Sequence, residues 1–184
     1  MSNEEYTTFG DSRIHYRIYR DGRLWSSWSK RFLADNINSR GYVTNRLFST
    51  TVKRHKLVAK HYLVNPRPDI FNQLDHIDRD KTNNHADNLR WVNVRLNQLN
   101  TRSKTCARSQ ILIHCPFNAA VQFYNEKTHY LGYFRHKKRA MSAKDRTRKC
   151  LFKALYFYHT RPNTFYPPDK WIVRSNMVIV RPPL

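Results

Sequence analysis

Apolar and polar residues alternate along much of the first third of the chain, and this period of two predicts β-strands. The stretches 13–19 and 23–28 alternate on either side of an Asp-Gly pair, which is typical of a tight turn, so they predict a hairpin. A further extended stretch covers 41–48. Apolar residues then follow helical spacing over 53–63, and two prolines shortly afterwards predict the end of this helix.

A second helix is expected in the middle of the chain. Apolar residues alternate over 89–92, and a turn leads into a helix that begins near Asn93. At helical spacing, Leu96 and Leu99 of this helix would face a core.

The second half of the chain again shows the alternation that predicts strands and a stretch that predicts a helix. Alternation over 117–134, interrupted by a polar turn at 125–127, predicts strands, and a basic helix is expected over 136–158. The stretch 161–184 is rich in proline, which predicts an extended tail, with one added strand over 171–180. The expected fold class is therefore α+β.

The charge balance indicates a polyanionic partner. The chain has 34 Lys and Arg against 13 Asp and Glu, a formal net charge of +21. Such a surplus repels itself unless a polyanion neutralises it, and the basic residues recur along the whole chain. This pattern favours a nucleic acid as partner, bound along its phosphate backbone with affinity that falls as salt rises.

Cysteine usage and hydropathy indicate an intracellular, reducing compartment, for which the cytoplasm and an organelle are the candidates. Three cysteines form no close pair, so a disulfide framework is not expected, and zinc held by Cys106, His114, Cys115 and a fourth ligand is a minor alternative. No apolar run approaches the roughly 18 residues of a membrane span, and the N-terminus lacks the pattern of a secretory signal. No membrane partner is expected.

Four residues of the polar segment 74–100 predict metal-assisted cleavage of a phosphodiester: Asp75, His76, Asn88 and Asn97. The reaction needs a base for water, a divalent cation at the scissile phosphate and a group that orients the base. Asp75 and Asn97 offer the oxygen ligands that suit one Mg²⁺ or Mn²⁺ ion. His76 is the candidate base, and Asn88 could accept its imidazole N–H and so select the tautomer.

The segment DHIDRDKTNNHADNLRWVNVRLN resembles the motif of the HNH endonucleases, in particular the intron-type homing enzymes, and the resemblance extends over about 16–100. It implies a ββα-metal fold with one cation per active site. The departures are Arg79 and Asp80, where the family often has Gly-Asn, and Asn93, where Thr is usual. His55 matches a family position that is structural or phosphate-facing. The roles implied by the resemblance are metal ligands at Asp75 and Asn97, general base at His76 and orienting residue at Asn88.

The segment FNAAVQFYNEKTHYLGYFRHKKRAMSAKD resembles AP2-like DNA-binding domains, in which a three-stranded sheet packs on one helix and enters the major groove. Cationic residues at the helix start, Lys137, Lys138 and Arg139, are expected to meet phosphates because they oppose the helix dipole. The alternative is a small module that only packs against the nuclease. The implied contacts, on the face opposite Phe117 and Val121, are Asn118, Gln122, Tyr124, Lys127, His129 and Arg135.

Together these expectations describe four parts: a β-rich segment over 1–68, the ββα-metal core over 69–104, the AP2-like module over 105–160 and the tail over 161–184. The expected function is a site-specific homing-type endonuclease of double-stranded DNA, with a monomer that nicks or a homodimer that cuts both strands. The alternative is a non-catalytic nucleic-acid-binding protein derived from such a nuclease, for example a component of a ribonucleoprotein. A transcription regulator would leave the DHID motif unexplained.

Overall fold

The computed structural model describes residues 5–101, 107–108, 117–122, 128–161, 168, 171–174 and 177–179. The chain forms two compact units, Met1–Asn93 and Val94–Leu184, each with strands and at least one helix. The mixed α+β class is as expected. The boundary between the units falls inside the predicted catalytic core over 69–104, and the four-part division stays a prediction.

The first unit begins with a four-stranded antiparallel sheet in the order β1-β2-β3-β4. The predicted hairpin is confirmed, since β2 and β3 pair around a turn in which Gly22 has a φ of 93°, a conformation that favours glycine. The partner strand β1 was not predicted. The strands are β1 (Tyr6–Gly10), β2 (His15–Tyr19), β3 (Leu24–Ser26) and β4 (Arg31–Phe32).

A second sheet of three antiparallel strands follows, with β5 (Asn36–Ile37), β6 (Val43–Leu47) and β7 (Thr50–Lys53). The turn between β6 and β7 consists of Phe48 and Ser49, whose φ values are 46° and 69°. Two successive left-handed residues match the twist of a tight hairpin, so this turn sets the register of the two strands.

Helix α1 (Arg54–Tyr62) confirms the helix predicted over 53–63. It buries Leu57, Val58 and Ala59 against the sheets. Burial of one such leucine contributes roughly 2 kcal/mol through the area that it removes from water. The core cluster around this helix comprises Tyr16, Ile18, Leu24, Leu47, Leu57, Val58, Ala86 and Leu89.

The guanidinium of Arg54 joins the helix to both sheets. Its Nε and Nη2 donate to Asn45 Oδ1 at 2.8 and 2.6 Å, and its Nη1 donates to the carbonyl of Gly22 at 2.6 Å. Asp35 lies 3.2 Å away as counter-ion. Because a buried charge is tolerated only when it is paired and hydrogen-bonded, these partners account for its burial.

The candidate motif lies on an antiparallel hairpin of β8 (Gln73–His76) and β9 (Leu89–Val92). The two strands are joined by a long loop that ends in a 3-10 turn, Ala86–Asn88. In this register Asp75 faces Arg90 and His76 faces Leu89.

The second unit starts with α2 (Val94–Leu99), which buries Leu96 and Leu99 as predicted. A three-stranded antiparallel sheet follows, and α3 packs against two of its strands. The predicted basic helix over 136–158 is confirmed. These elements are β10 (Ala107–Arg108), β11 (Phe117–Gln122), β12 (Thr128–Phe134) and α3 (Lys137–Thr160).

The prediction of one added strand near the C-terminus is wrong, because two short strands, β13 (Ile172–Arg174) and β14 (Met177–Ile179), form an antiparallel hairpin. Trp171 is buried, and its ring lies 6.1 Å from that of Tyr158 on α3. Trp171 therefore anchors this part of the chain.

Candidate active site

The end of β8 buries a carboxylate and an imidazole in succession. Asp75 is 6% exposed and His76 5% exposed. Asp75 Oδ2 accepts hydrogen bonds from Arg90 Nε at 2.9 Å and from Arg90 Nη2 at 2.7 Å. Because the two residues face each other across the hairpin, Arg90 offsets the cost of burying this charge.

The imidazole of His76 lies beside Asn84. Its Nε2 is 3.5 Å from Asn84 Oδ1, a long contact. The amide of Asn84 donates through Nδ2 to the carbonyl of Thr82 at 2.8 Å, which identifies the other amide atom as the oxygen. An oxygen facing Nε2 favours the tautomer with the proton on Nε2, in which Nδ1 is the basic nitrogen.

The environment of His76 favours the neutral ring. Burial lowers its pKa below 6.5, and the opposing effects of Asn84 and of the carboxylates of Asp75, Asp78 and Asp80 do not restore it. A neutral imidazole at pH 7 can accept a proton, which a general base requires.

A second histidine and a tyrosine pack around this ring. His55, in α1, places its ring 5.2 Å from that of His76 at an interplanar angle of 82°, and Tyr42 lies 5.0 Å from His55 and 6.1 Å from His76. Burial, followed by the proximity of His76, lowers the pKa of His55 to about 4. His55 is therefore neutral at pH 7, and its buried Nδ1 has no hydrogen-bond partner among the described residues.

Asn88 occupies a different place from the one expected. Its Oδ1 accepts from the backbone N–H of Asp78 at 3.1 Å, and its Nδ2 donates to Asp78 Oδ1 and to the carbonyl of Asn83, both at 2.9 Å. Within the described part of the chain its side chain bonds the loop and not His76, because both ends of the amide face Asp78. The expectation that Asn88 orients the imidazole directly is corrected: Asn84 faces the ring, and Asn88 holds the loop.

Asp78 is the centre of that loop. It accepts bonds from the backbone of Asp80 at 2.8 Å and from Asn83 Nδ2 at 2.7 Å, in addition to that from Asn88. Burial raises its pKa, but these bonds together outweigh burial, and the pKa lies below its usual value. The next residue, Arg79, has a φ of 72°, so this loop requires a left-handed backbone at the position where the resembling family often has glycine.

The two candidate metal ligands lie in different units. Asp75 is in the first unit, whereas Asn97 lies half-buried in α2 of the second. The described residues contain no group of three or more His, Cys, Asp or Glu placed to hold a metal ion. A carboxylate and an amide oxygen nevertheless are the donor types that a hard cation takes, so both residues stay predictions as its ligands. The zinc alternative at Cys106, His114 and Cys115 lies outside the described residues.

In the sheet of the second unit, some of the residues implied as DNA contacts lie on the outward face and one does not. Ala119 and Val121 are buried, while Gln122 is exposed and Asn118 half-buried on the alternate positions. The expectation that His129 lies on the other face of the sheet from Val121 is wrong. His129 pairs with Val121 across the two strands, and paired residues share one face of a sheet. Tyr124 and Lys127 lie outside the described residues.

Two exposed tyrosines on β12, Tyr130 at 70% and Tyr133 at 51%, were not expected on this surface. A register shift between Ala119 and Ala120 changes which residues of β12 face outward, and simple alternation does not anticipate such a bulge. The basic residues predicted to meet phosphate are all exposed, which leaves their role a prediction: Lys137, Lys138 and Arg139. Arg135, one of the implied DNA contacts, is exposed as well.

The sequence analysis also missed Arg90, Asn84 and Tyr42. Arg90 could be found from the hairpin register, since opposite charges directly across two strands are a favourable pair. Asn84 also closes the loop, because its Nδ2 donates to the carbonyl of Thr82. Tyr42 directly precedes β6, far from His76 in the sequence, and its proximity to His76 has no local signal in the sequence.

Sequence comparison finds similarity to one class of protein, the HNH endonucleases, although no protein-family model matches the chain. An uncharacterized HNH endonuclease of Acanthamoeba polyphaga mimivirus is 32% identical over 101 residues, which cover 51% of this chain and 30% of that protein. The DNA endonuclease I-HmuI of Bacillus phage SP01 is 33% identical over 94 residues, which cover 49% of this chain and 53% of that protein. The chain thus spans about half or less of the length of these relatives, and they support the resemblance to HNH endonucleases.

A solved structure of the HNH homing endonuclease I-HmuI, described as showing DNA binding and cleavage, aligns with a TM-score of 0.40 at 30% sequence identity. The alignment covers 46% of this chain and 50% of that one. Separately, no helix in the described part of the chain has the length and apolar character needed to span a bilayer.

Proposed function

We propose that this chain is a homing-type HNH endonuclease that hydrolyses phosphodiester bonds of double-stranded DNA with one divalent cation, Mg²⁺ or Mn²⁺. The observation that carries this proposal is the buried, neutral imidazole of His76 directly beside the buried carboxylate of Asp75. The names of the two relatives support the same reaction class.

His76 is the general base. Its Nδ1 accepts a proton from water as the water oxygen attacks phosphorus, while the Nε2 proton faces Asn84. Asn84 is in turn bonded to the carbonyl of Thr82, so the imidazole is held in the tautomer that the reaction needs. Asn88 contributes indirectly, since it ties the loop of Asp78 to the end of the hairpin.

Asp75 and Asn97 would hold the cation. When bound, the cation offsets the negative charge that develops at the scissile phosphate. Arg90 fixes Oδ2 of Asp75 and so limits the rotation of a ligand that must present an oxygen in a defined direction.

The sheet and helix of the second unit would read the target as an AP2-like module. Gln122 and Arg135 are exposed, and side chains of these types suit contacts with base edges in the major groove. The basic start of α3, where the first turn holds no acidic residue, would contact phosphates. One such active site cuts one strand, so a monomer would nick and a homodimer would cut both.

The test is conversion of supercoiled plasmid in Mg²⁺, in Mn²⁺ and in EDTA. Metal-dependent nicking that is lost in His76→Ala supports the proposal. His15→Ala is the matched control, because His15 lies on β2 of the same unit and should cut like the native chain. Loss of cutting in both variants would point to a general loss of structure, and native cutting in His76→Ala would contradict the assigned base.

A second candidate is a non-catalytic nucleic-acid-binding protein derived from such a nuclease. The net charge of +21 favours this function as much as the first. Tight binding of DNA or RNA by the native chain, without cutting in either metal, would favour this candidate and a ribonucleoprotein partner.

A further inference from the structure

Two lysines converge on one tyrosine beside the candidate base. The Nζ of Lys53 lies 4.9 Å from the centroid of the Tyr42 ring, and the Nζ of Lys81 lies 4.7 Å from the same centroid. The Tyr42 ring is itself 6.1 Å from the ring of His76. Both ammonium groups therefore lie close to the aromatic ring that packs beside the imidazole.

The fold builds this arrangement from three separate segments. Tyr42 follows a short loop that Asn38 holds, since its Oδ1 accepts from the backbone N–H of Arg40 and of Tyr42, both at 3.0 Å. Lys53 pairs with Thr44 at the end of the β6–β7 ladder, so it is a diagonal neighbour of Tyr42 on the same face. Lys81 comes from the loop of the candidate motif, and its Nζ donates to the carbonyl of Arg40 at 2.9 Å.

No carboxylate of the described residues lies within ion-pair distance of Lys53 or Lys81. Asp80, next to Lys81 in sequence, accepts instead from the backbone and hydroxyl of Thr82. The positive end of α1 adds to the local charge, because Lys53 is its N-cap residue and no acidic residue lies in the first turn.

One cation above an aromatic ring is a common stabilising contact, but a second cation at the same ring repels the first. An anion that accepts from both ammonium groups removes this repulsion. The backbone phosphate of DNA has the charge and the acceptor oxygens for this role, and lysine binds phosphate as a compact point charge.

We propose that Tyr42, Lys53 and Lys81 form a phosphate-binding subsite that seats a backbone phosphate of duplex DNA beside His76. The catalytic meaning of the subsite rests on the proposed endonuclease function, but the phosphate contact does not. Tyr42 is a positioning residue in this account: its ring aligns the two ammonium groups, and its hydroxyl has no part.

The first experiment measures binding in EDTA, so that cleavage does not enter. The probe is a short fluorescent DNA duplex of mixed sequence, and its affinity is followed over a series of salt concentrations. Lys53→Gln and Lys81→Gln should each lower the slope of log K against log salt by about 1, the change expected when one phosphate contact is lost. Lys60→Gln is the control, because Lys60 is exposed on the same helix as the N-cap Lys53 but lies two turns away.

Equal slopes for Lys60→Gln and for both subsite variants would overturn the proposal, since diffuse charge would then explain the binding. Tyr42→Phe should keep the native slope, whereas Tyr42→Leu should lower it; native behaviour of Tyr42→Leu would overturn the role of the ring. Thermal melting followed by circular dichroism checks folding, and Lys81, which is exposed, tests the subsite even if Lys53→Gln does not fold.

Cleavage by the same variants separates this proposal from the endonuclease proposal. If the native chain cuts, Lys81→Gln should raise KM about tenfold at low salt and leave kcat largely unchanged. If the native chain binds but does not cut, the endonuclease proposal fails. The salt slopes of Lys53→Gln and Lys81→Gln then still show whether the two lysines contact phosphate.

Discussion

At the scale of single residues, the site depends on how two buried polar side chains are compensated. Arg90 offsets the cost of burying the Asp75 carboxylate across the hairpin. The imidazole of His76 avoids such a cost because it remains neutral. A paired buried charge is tolerated, but removal of one partner leaves the other desolvated. The first prediction tests the pairing of Asp75 with Arg90. The second tests the neutral form of His55, the buried histidine whose ring packs against that of His76.

Arg90→Met should destabilise the first unit by roughly 2 kcal/mol, because the carboxylate of Asp75 loses a charged partner in a buried position. The measurement is urea unfolding of the native chain and the variant. The control is Arg67→Met, since Arg67 and Asp69 form a more exposed pair that should contribute less to stability. Equal losses in the two variants would contradict the role given to Arg90.

The pKa of His55 predicts a pH dependence of stability. In the folded chain the pKa is about 4, and in the unfolded chain it returns to 6.5. Between these values the unfolded state binds more protons, so stability falls as pH falls through this window. Between pH 7 and pH 5, His55 accounts for a loss of about 2 kcal/mol in the free energy of unfolding.

Urea unfolding of the native chain and of His55→Gln at pH 7 and pH 5 measures this loss. The native chain should lose about 2 kcal/mol more than the variant, which has no group that titrates at this position. An equal loss in both chains would mean that His55 is not buried in its neutral form.

At the scale of elements, the loop between β8 and β9 is the part that sequence patterns describe least well. The residues of the site on β8, Asp75 and His76, could be predicted because they are consecutive in a recognisable motif. Which asparagine faces His76 could not, since it depends on the path of a loop that Asp78 gathers and that turns through a left-handed Arg79.

Helices and long strands could be predicted because their apolar positions repeat with a regular period. The three α-helices of the described residues have periodic apolar positions, and the boundaries of α1 and α3 differ from the predicted ones by at most two residues. The short strands β4 and β5 hold two residues each, too few to show a period. The bulge at Ala119 and Ala120 likewise has no signal in the alternation. The face of His129 was implied by the resemblance to AP2-like domains, which does not include this bulge.

Asn88→Ala tests the account of the loop. The variant loses three hydrogen bonds to Asp78 and Asn83, so it should destabilise the first unit by about 2 kcal/mol and lower cleavage by loosening the loop. Asn84→Ala should lower kcat about tenfold with a smaller loss of stability, because Asn84 acts on the imidazole.

Urea unfolding and plasmid cleavage of these two variants provide the comparison. We expect the larger stability loss in Asn88→Ala. We expect the larger change in kcat, relative to the stability lost, in Asn84→Ala. The reverse order would return the orienting role to Asn88, as the motif alone suggests.

At the scale of the whole molecule, charge and composition indicated the partner class but not the site. The surplus of basic residues is spread over the sequence, and both units hold part of it. The subsite at Tyr42 combines a residue that directly precedes β6, a residue at a helix start and a residue of the motif loop, so it follows from the tertiary fold and has no sequence signature. Composition predicts only that binding weakens with salt.

Binding of the full chain to duplex DNA should therefore show a steep dependence on salt, with affinity falling by about three orders of magnitude or more between 50 and 200 mM, as for proteins with six or more phosphate contacts. Fluorescence anisotropy with a labelled duplex measures this. A nearly flat dependence would mean that the net charge of +21 does not serve a nucleic-acid partner.

The most direct test of the central claim, that His76 is the general base, is the rate of metal-dependent plasmid nicking as a function of pH. Because the base must be neutral to accept a proton and burial lowers the pKa of His76, the native rate should rise with pH and level off below neutrality. His76→Ala should lose most of the rate and this inflection. Native-like nicking by His76→Ala, with the inflection retained, would contradict the claim.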